Sequence, residues 1–130
     1  MLVNATRLRA RGLRELREVL SLSRQVQAQL ATSPGFLGGR LLVDRRLCAW
    51  TVTTWSDPAC LRAFGRAHAE VATQGGRLVT ELGTTTWREP DAAPPDWDAV
   101  SAHLPTVPQP ALGLPLSLPP SGVPAPAPVP

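Results

Sequence analysis

The amino-acid sequence predicts an α+β domain built on one antiparallel sheet, and three observations support this. Four runs have the alternation, or the β-branched and aromatic content, of strands. Two stretches between them repeat apolar residues at the 3.6-residue spacing of a helix. Their chain order is strand, helix, strand, strand, helix, strand, which is typical of a sheet with both helices on one face.

The first strand is predicted over residues 2–9, where alternation puts Asn4 and Thr6 on the same face as two leucines. Because buried leucines should face the helices, the two polar side chains are expected to line the cleft between helices and sheet. The first helix is predicted over residues 13–30, and it ends at a Thr-Ser-Pro-Gly turn over residues 32–35.

Two further strands are predicted over residues 36–43 and 47–55. A short polar connection joins them, so they form a hairpin. Trp50 and Trp55 are separated by an odd number of positions, so strand alternation places them on opposite faces of the sheet.

The second helix is predicted to begin at Pro58, directly after a Ser-Asp cap. Phe64 and His68 are one helical turn apart on its apolar stripe, so both should point toward the sheet. Two glycines end this helix. Residues 77–82 are predicted to add a helical turn, and residues 83–87 a short threonine-rich strand.

Together these elements predict a ferredoxin-like β-α-β-β-α-β sandwich over residues 1–104. Of the 15 prolines, 10 fall within residues 105–130, which carry no charged side chain and are predicted to form a disordered tail. The sheet face away from the helices should be exposed in so small a unit. A bare sheet face favours a homodimer through that face, which would close a dimeric α/β barrel.

Charge and composition argue against several classes of function. The net charge is +3, but the arginines alternate with acids and apolar residues, which favours a solvated surface over a nucleic-acid interface. The two cysteines form neither a disulfide framework nor a metal-binding set. No apolar run resembles a signal peptide or is long enough to span a bilayer, so we expect a cytoplasmic protein without a membrane partner.

Three motifs carry a resemblance to a known family. They are Pro-Gly-Phe-Leu-Gly-Gly-Arg-Leu-Leu at residues 34–42, Trp-Thr-Val-Thr-Thr-Trp at 50–55 and Leu-Arg-Ala-Phe at 61–64. Over about residues 2–104 the chain resembles the antibiotic biosynthesis monooxygenase superfamily of dimeric α/β barrels. The Thr-Arg-Leu-Arg opening, an Ala-His pair and a Pro-Asp-Trp segment look closest to its spheroidene-monooxygenase-like branch.

The resemblance implies three chemistries. They are cofactor-independent oxygenation of an aromatic polyketide whose own anion reacts with dioxygen, haem degradation, and haem-dependent oxidation of carotenoids. Haem-degrading members place Asn on the first strand, and Trp and His on the second helix. Here Thr6 and Phe64 stand at the first two positions and only His68 matches, which argues against haem degradation.

His68 is the candidate catalytic residue, as a general base or as a hydrogen-bond donor to a substrate oxygen. The alternative is a half-buried histidine that a backbone carbonyl or a threonine satisfies. Asn4 and Thr6 are candidate substrate-binding residues, which neighbouring backbone or water could equally satisfy. Candidate residues for an aromatic wall against a flat ligand, which could instead be plain core, are Trp50, Trp55 and Phe64.

The sequence favours a small monooxygenase that acts on a flat hydrophobic substrate, aromatic polyketide- or isoprenoid-like, between the second helix and the sheet. No flavin or metal motif is present, so the simplest mechanism is substrate-assisted oxygen chemistry without a cofactor. Two alternatives remain open. One is a non-catalytic dimeric module that binds a ligand or a partner, and the other is a haem-binding protein with His68 as the iron ligand.

Overall fold

The computed structural model describes residues 1–90, 95–103 and 113–126. The predicted order of strands and helices is confirmed, with one more helix and one more strand after it. No helix in these ranges is long and apolar enough to cross a membrane. The elements are β1 (Leu2–Ala10), α1 (Leu13–Leu30), β2 (Phe36–Asp44), β3 (Cys48–Trp55), α2 (Pro58–Gly76), β4 (Val79–Arg88), α3 (Trp97–Ala102) and β5 (Gly113–Leu118).

The five strands form one antiparallel sheet in the order β4-β1-β3-β2-β5, with β3 at its centre. Alternation along β1 and β3 defines the two faces of this sheet. Asn4 lies opposite Thr53 and Thr6 opposite Thr51 on one face, while Val3 lies opposite Thr54 on the other. The first four strands have the ferredoxin-like order, and β5 adds an edge next to β2.

Helices α1 and α2 cover one face of the sheet, which we call the helix side. Helix α2 begins at Pro58 as predicted, because Asp57 Oδ1 accepts a hydrogen bond from the Cys60 amide at 2.9 Å. This bond to the Cys60 backbone lowers the pKa of Asp57. The core on this side joins residues of both layers, namely Leu2, Leu30, Phe36, Trp55, Cys60 and Leu118.

The opposite face of the sheet is not bare, contrary to the expectation from sequence. Helix α3 packs on it through Val100, which is wholly buried, and Asp96 caps α3 by accepting the Ala99 amide at 2.9 Å. His103 stacks on Trp87 at 3.9 Å beside it. The exposed apolar face that motivated a homodimer is therefore covered within the protomer, and the homodimer stays a prediction. The buried cluster on this face is Val3, Ala5, Leu42, Cys48, Trp50, Val52 and Val100.

Asp44 holds the predicted β2–β3 hairpin together. Its Oδ1 accepts hydrogen bonds from the amides of Arg46 at 2.8 Å and Cys48 at 3.2 Å. Its Oδ2 accepts one from the indole of Trp50 at 3.0 Å. These bonds fix a turn in which Leu47 adopts a left-handed φ of 64°, which is unusual for a branched residue.

The predicted helical turn over residues 77–82 is wrong, because β4 already begins at Val79. Strand β4 pairs with β1 from Arg88, opposite Leu2, to Val79, opposite Ala10. Strand β1 has backbone groups available for pairing along its whole length. Hydrogen bonding to them outweighs the weak helical preference of residues 77–82.

The predicted disordered tail over residues 105–130 is wrong where the structure describes it, over residues 113–126. Strand β5 pairs antiparallel with β2, and the amide of Gly35 then donates to the carbonyl of Val123 at 2.9 Å. The domain therefore does not end at residue 104. An edge strand tolerates proline because its outer side needs no backbone donor.

Two leucines on the helix-side face of β5 test whether this strand belongs to the domain. Leu118 is 8% exposed within the core, whereas Leu116 is 46% exposed. We expect Leu118→Asp to lower the free energy of unfolding by about 3 kcal/mol, because it buries an unpaired carboxylate. The matched Leu116→Asp change should alter it by about 0.5 kcal/mol or less. Urea unfolding measures both, and equal stability of the two variants would contradict the pairing of β5.

Candidate functional site

A cavity of about 390 Å³ lies on the helix side, between the sheet and the inner faces of α1 and α2. This volume is within the range of small-molecule binding sites. Its walls come from both helices and all five strands, and among the described lining residues none is charged. The cavity therefore suits an uncharged, largely apolar ligand.

Polar side chains of neighbouring strands form the sheet-side floor of the cavity. The Thr86 hydroxyl donates to Asn4 Oδ1 at 3.1 Å, and the hydroxyls of Thr6 and Thr84 lie 3.4 Å apart. The amide of Asn4 also carries two N–H donors at Nδ2, which suit a ligand oxygen. Thr53 donates to the carbonyl of Asn4 and so fixes the adjoining strand. The floor thus presents a fixed amide donor next to hydroxyl groups.

His68 lines the same cavity from α2. Its imidazole stacks on the Phe64 ring at 5.3 Å with an interplanar angle of 10°. Its Nδ1 is buried and has no hydrogen-bond partner among the described residues. Burial lowers the pKa of His68 below 6.5, so the imidazole is neutral at neutral pH. A neutral imidazole can accept a proton from a ligand.

Of the three aromatic residues predicted at the site, one lines the cavity. Phe64 lines the cavity, and Trp55 packs behind it at 5.3 Å. Trp55 is wholly buried, it contacts Phe36 on its other side, and its indole donates to Thr53 Oγ1 at 3.0 Å. Trp55 therefore packs behind Phe64 and does not itself line the cavity.

The structure does not place Trp50 at the site. As the alternation predicts, Trp50 and Trp55 are on opposite faces, and Trp50 belongs to the core under α3. Its indole donates to Asp44, and the guanidinium of Arg7 lies 5.6 Å from its ring centroid. Trp50 does not line this cavity, because the period-two alternation that turns Trp55 toward the helices turns Trp50 away from them.

Four of the residues predicted from the sequence line one cavity, and several other lining residues were not predicted. The residues found are Asn4, Thr6, Phe64 and His68. Thr51 and Thr53 were missed because the sequence did not decide which face of β3 points to the helices. Their pairing opposite Thr6 and Asn4 is the signal that decides it. Further lining residues without a clear signal in the sequence are Ser23, Gln27, Thr84 and Leu118.

Neither a metal nor haem fits the described lining well. Within the described residues there is no group of three or more His, Cys, Asp or Glu side chains that could hold a metal ion. His68 could in principle ligate a haem iron. The described lining has no arginine or lysine to pair with the two haem propionates, and burying a carboxylate without a cation is strongly unfavourable.

Several solved structures with a similar fold are named as antibiotic biosynthesis monooxygenases or as an oxygenase. A variant of SnoaB, a cofactor-independent oxygenase from Streptomyces nogalater, superposes with a TM-score of 0.61 at 20% identity, covering 69% of this chain and 93% of that one. A Deinococcus radiodurans protein named for this family gives 0.63 at 14% identity, covering 72% and 96%. A similarly named Nitrosomonas europaea protein gives 0.60 at 11%, covering 70% and 100%.

These similarities confirm the predicted resemblance at the level of the fold. No protein-family model and no curated protein sequence matches the chain. The fold is therefore that of the antibiotic biosynthesis monooxygenases, while the spheroidene-monooxygenase-like branch stays a prediction. A shared fold does not determine activity, which depends on the residues of the cavity.

The buried imidazole of His68 should make stability depend on pH. Its pKa is lowered in the folded protein, so below pH 6.5 the unfolded chain binds a proton more readily than the folded chain. We expect the free energy of unfolding to fall as pH drops from 6.5 through the folded pKa, and His68→Gln to reduce that fall. His103→Gln is the matched control, since it removes the other histidine and keeps His68. Urea unfolding at several pH values measures this, and an unchanged profile for His68→Gln would contradict it.

Proposed function

We propose that the chain is a small monooxygenase that oxidises a flat, hydrophobic, aromatic polyketide- or isoprenoid-like substrate without a cofactor. The observation that carries the proposal is one uncharged cavity that joins three groups. They are a neutral imidazole at His68, an amide donor at Asn4 and an aromatic face at Phe64. The similarity to SnoaB, which is named as a cofactor-independent oxygenase, supports this choice of chemistry.

His68 would act as the general base. Its pKa is lowered by burial, so it is unprotonated at neutral pH and ready to take a proton from an acidic C–H or O–H of the substrate. Its stacking on Phe64 holds the ring plane in one orientation. Because the side chain is half-buried, only part of its hydration has to be removed when the substrate binds.

The substrate anion would then react with dioxygen directly. For an anthrone, His68 takes a methylene proton, the carbanion transfers one electron to dioxygen, and the two radicals combine to form a C–O bond. The peroxide takes the proton back from His68, and loss of water leaves a quinone carbonyl. One oxygen atom of dioxygen enters the product and the other leaves as water, so no external reductant is needed.

Asn4 and Thr6 would position the oxygen of the substrate. The Nδ2 group of Asn4 carries two N–H donors that would bind a carbonyl that becomes an enolate oxygen, while Thr86 donates to Oδ1. Thr6 adds a hydroxyl beside it on the same strand face. Hydrogen bonds to the charged form lower the pKa of the substrate and so make proton transfer to His68 easier.

Oxygen uptake with anthrone tests the proposal. We expect the protein to consume one dioxygen per anthrone and to form anthraquinone. His68→Gln should lower kcat by about a hundredfold or more, as expected for the loss of a general base. His103→Gln is the matched control and should keep the wild-type rate. Turnover is measured with an oxygen electrode, and anthraquinone by its absorbance.

Binding measured alongside separates the enzyme from a non-catalytic module. Alizarin, a flat hydroxyanthraquinone, serves as the ligand in an absorbance titration. If His68→Gln abolishes turnover and still binds alizarin, the catalytic role of His68 is supported. If the wild-type protein binds alizarin and oxidises no anthrone, the proposed oxygenase activity is wrong for this substrate class and the ligand-binding module takes its place.

A titration with haem tests the remaining alternative. Because the described lining has no cationic partner for the propionates, we expect no stoichiometric shift of the Soret band. His68→Ala is titrated in parallel. A stoichiometric shift in the wild-type protein that His68→Ala loses would show haem binding through His68, and the cofactor-free mechanism would then be wrong.

A further inference from the structure

Helix α1 places two polar side chains in the cavity that the proposed mechanism does not use. Ser23 and Gln27 both line the cavity, and they are one helical turn apart on the same face of α1. Both are half-buried, and neither side chain hydrogen-bonds to another residue within the described part of the chain. Their polar groups are therefore available to a ligand in the cavity or to water.

Gln27 lies on the side of α1 that points away from α2. Gln29 marks the side that faces α2, because its Nε2 donates to the carbonyl of Ala67 at 3.2 Å. Successive residues of an α-helix are about 100° apart, so Gln27 lies about 200° around α1 from Gln29. Ser23 differs from Gln27 by only about 40°. The pair is therefore on the far flank of the cavity from His68, which belongs to α2.

The cavity extends across the whole width of the sheet. Its lining includes Thr84 of β4 and Leu118 of β5, which are the strands at the two edges. Neighbouring strands are about 4.8 Å apart, so the lining reaches across about 19 Å. This width accommodates a ligand of several fused rings that contacts both flanks.

The polar groups of the cavity form two sets, one toward each flank. Asn4 and Thr6 contact threonines of β4, the edge strand, and His68 comes from α2. Ser23 and Gln27 form the second set. By helical spacing, the aliphatic residues of α1 that line the cavity lie between the α2 side and this second set. They are Val19, Leu22, Val26 and Leu30.

We propose that Ser23 and Gln27 bind a second oxygen of the ligand, and so select flat ring systems that carry an uncharged hydroxyl or carbonyl at the end away from His68. The inference deepens the proposed function and rests on it in taking the cavity as the ligand site. An amide and a hydroxyl side chain each donate and accept hydrogen bonds, so either oxygen group suits them. A carboxylate is disfavoured, since no described lining residue is positively charged.

A residue that binds one group of a ligand affects only those ligands that carry the group. If Gln27 bonds to a terminal hydroxyl, removing the amide and removing the hydroxyl lose the same interaction, so the two losses do not add. A residue that only holds α1 in place would weaken both ligands by the same factor. The preference between two ligands that differ by one hydroxyl is therefore the quantity to measure.

Isothermal titration of the full chain with 2-hydroxyfluorenone and fluorenone, two flat and uncharged tricyclic ketones, tests the inference. We expect the wild-type protein to bind 2-hydroxyfluorenone about tenfold more tightly, as one hydrogen bond within a site allows. Gln27→Leu should reduce this preference to less than about twofold, while fluorenone binds at least as tightly as before. Ser23→Ala, a smaller change, should reduce the preference to about threefold.

Gln25→Leu is the matched control on the same helix. Gln25 is the same residue type as Gln27, but it is exposed and does not line the cavity. This variant should keep the wild-type preference for 2-hydroxyfluorenone. Melting temperatures close to wild type show that the variants are folded. An unchanged preference in Gln27→Leu, or an equal weakening of both ligands, overturns the inference.

The remaining outcomes separate this inference from the proposed function. A wild-type protein that binds both ligands equally would contradict the second oxygen site, and oxidation of anthrone would still support the oxygenase activity. A wild-type protein that binds neither ligand would contradict the second oxygen site and the cavity as ligand site together. If the preferences follow the prediction and anthrone is not oxidised, the second oxygen site is supported and the oxygenase activity is not.

Discussion

The period-two alternation of the central strand is the constraint on which the rest of the structure depends. Strand β3 is hydrogen-bonded on both sides, to β1 and β2, so its register fixes the facing residues of both neighbours. Trp55 and Trp50 lie on opposite faces and each belongs to its own core cluster. A shift of one residue would exchange these two faces, and the polar floor of the cavity would then lie under α3.

The candidate site is the part of the helix-side face where the side chains pointing toward the helices are polar and not apolar. At one end of the face Leu2 and Trp55 pack in the core, whereas Asn4 and Thr6 follow along β1 beneath the helices. Asn4 and Thr6 are half-buried, and they bond across to Thr86 and Thr84 on β4. This stretch of the sheet therefore contributes hydrogen-bonding groups to the cavity where apolar residues would add to the core.

Local periodicity in the sequence predicted the first helix, the hairpin and the start of α2 closely, because repeated spacing and caps specify them. It also placed Phe64 and His68 together, since residues four apart share a helix face. It failed where pairing between distant segments decides the structure. Strand β5 pairs with β2 although its segment is proline-rich, and alternation separated Trp50 from Trp55 without showing which of them faces the helices.

An uncharged cavity also constrains what kind of proton transfer His68 can support. Moving a proton from a neutral substrate to a neutral imidazole creates two opposite charges, and no described charged side chain lines the cavity to stabilise either of them. The pair is stabilised mainly by its own attraction, which falls with separation. If His68 takes a proton from the substrate as proposed, the substrate anion has to stay beside His68 and spread its charge over a large ring system. Fused aromatic rings satisfy both requirements, since they delocalise the charge and lie flat against Phe64.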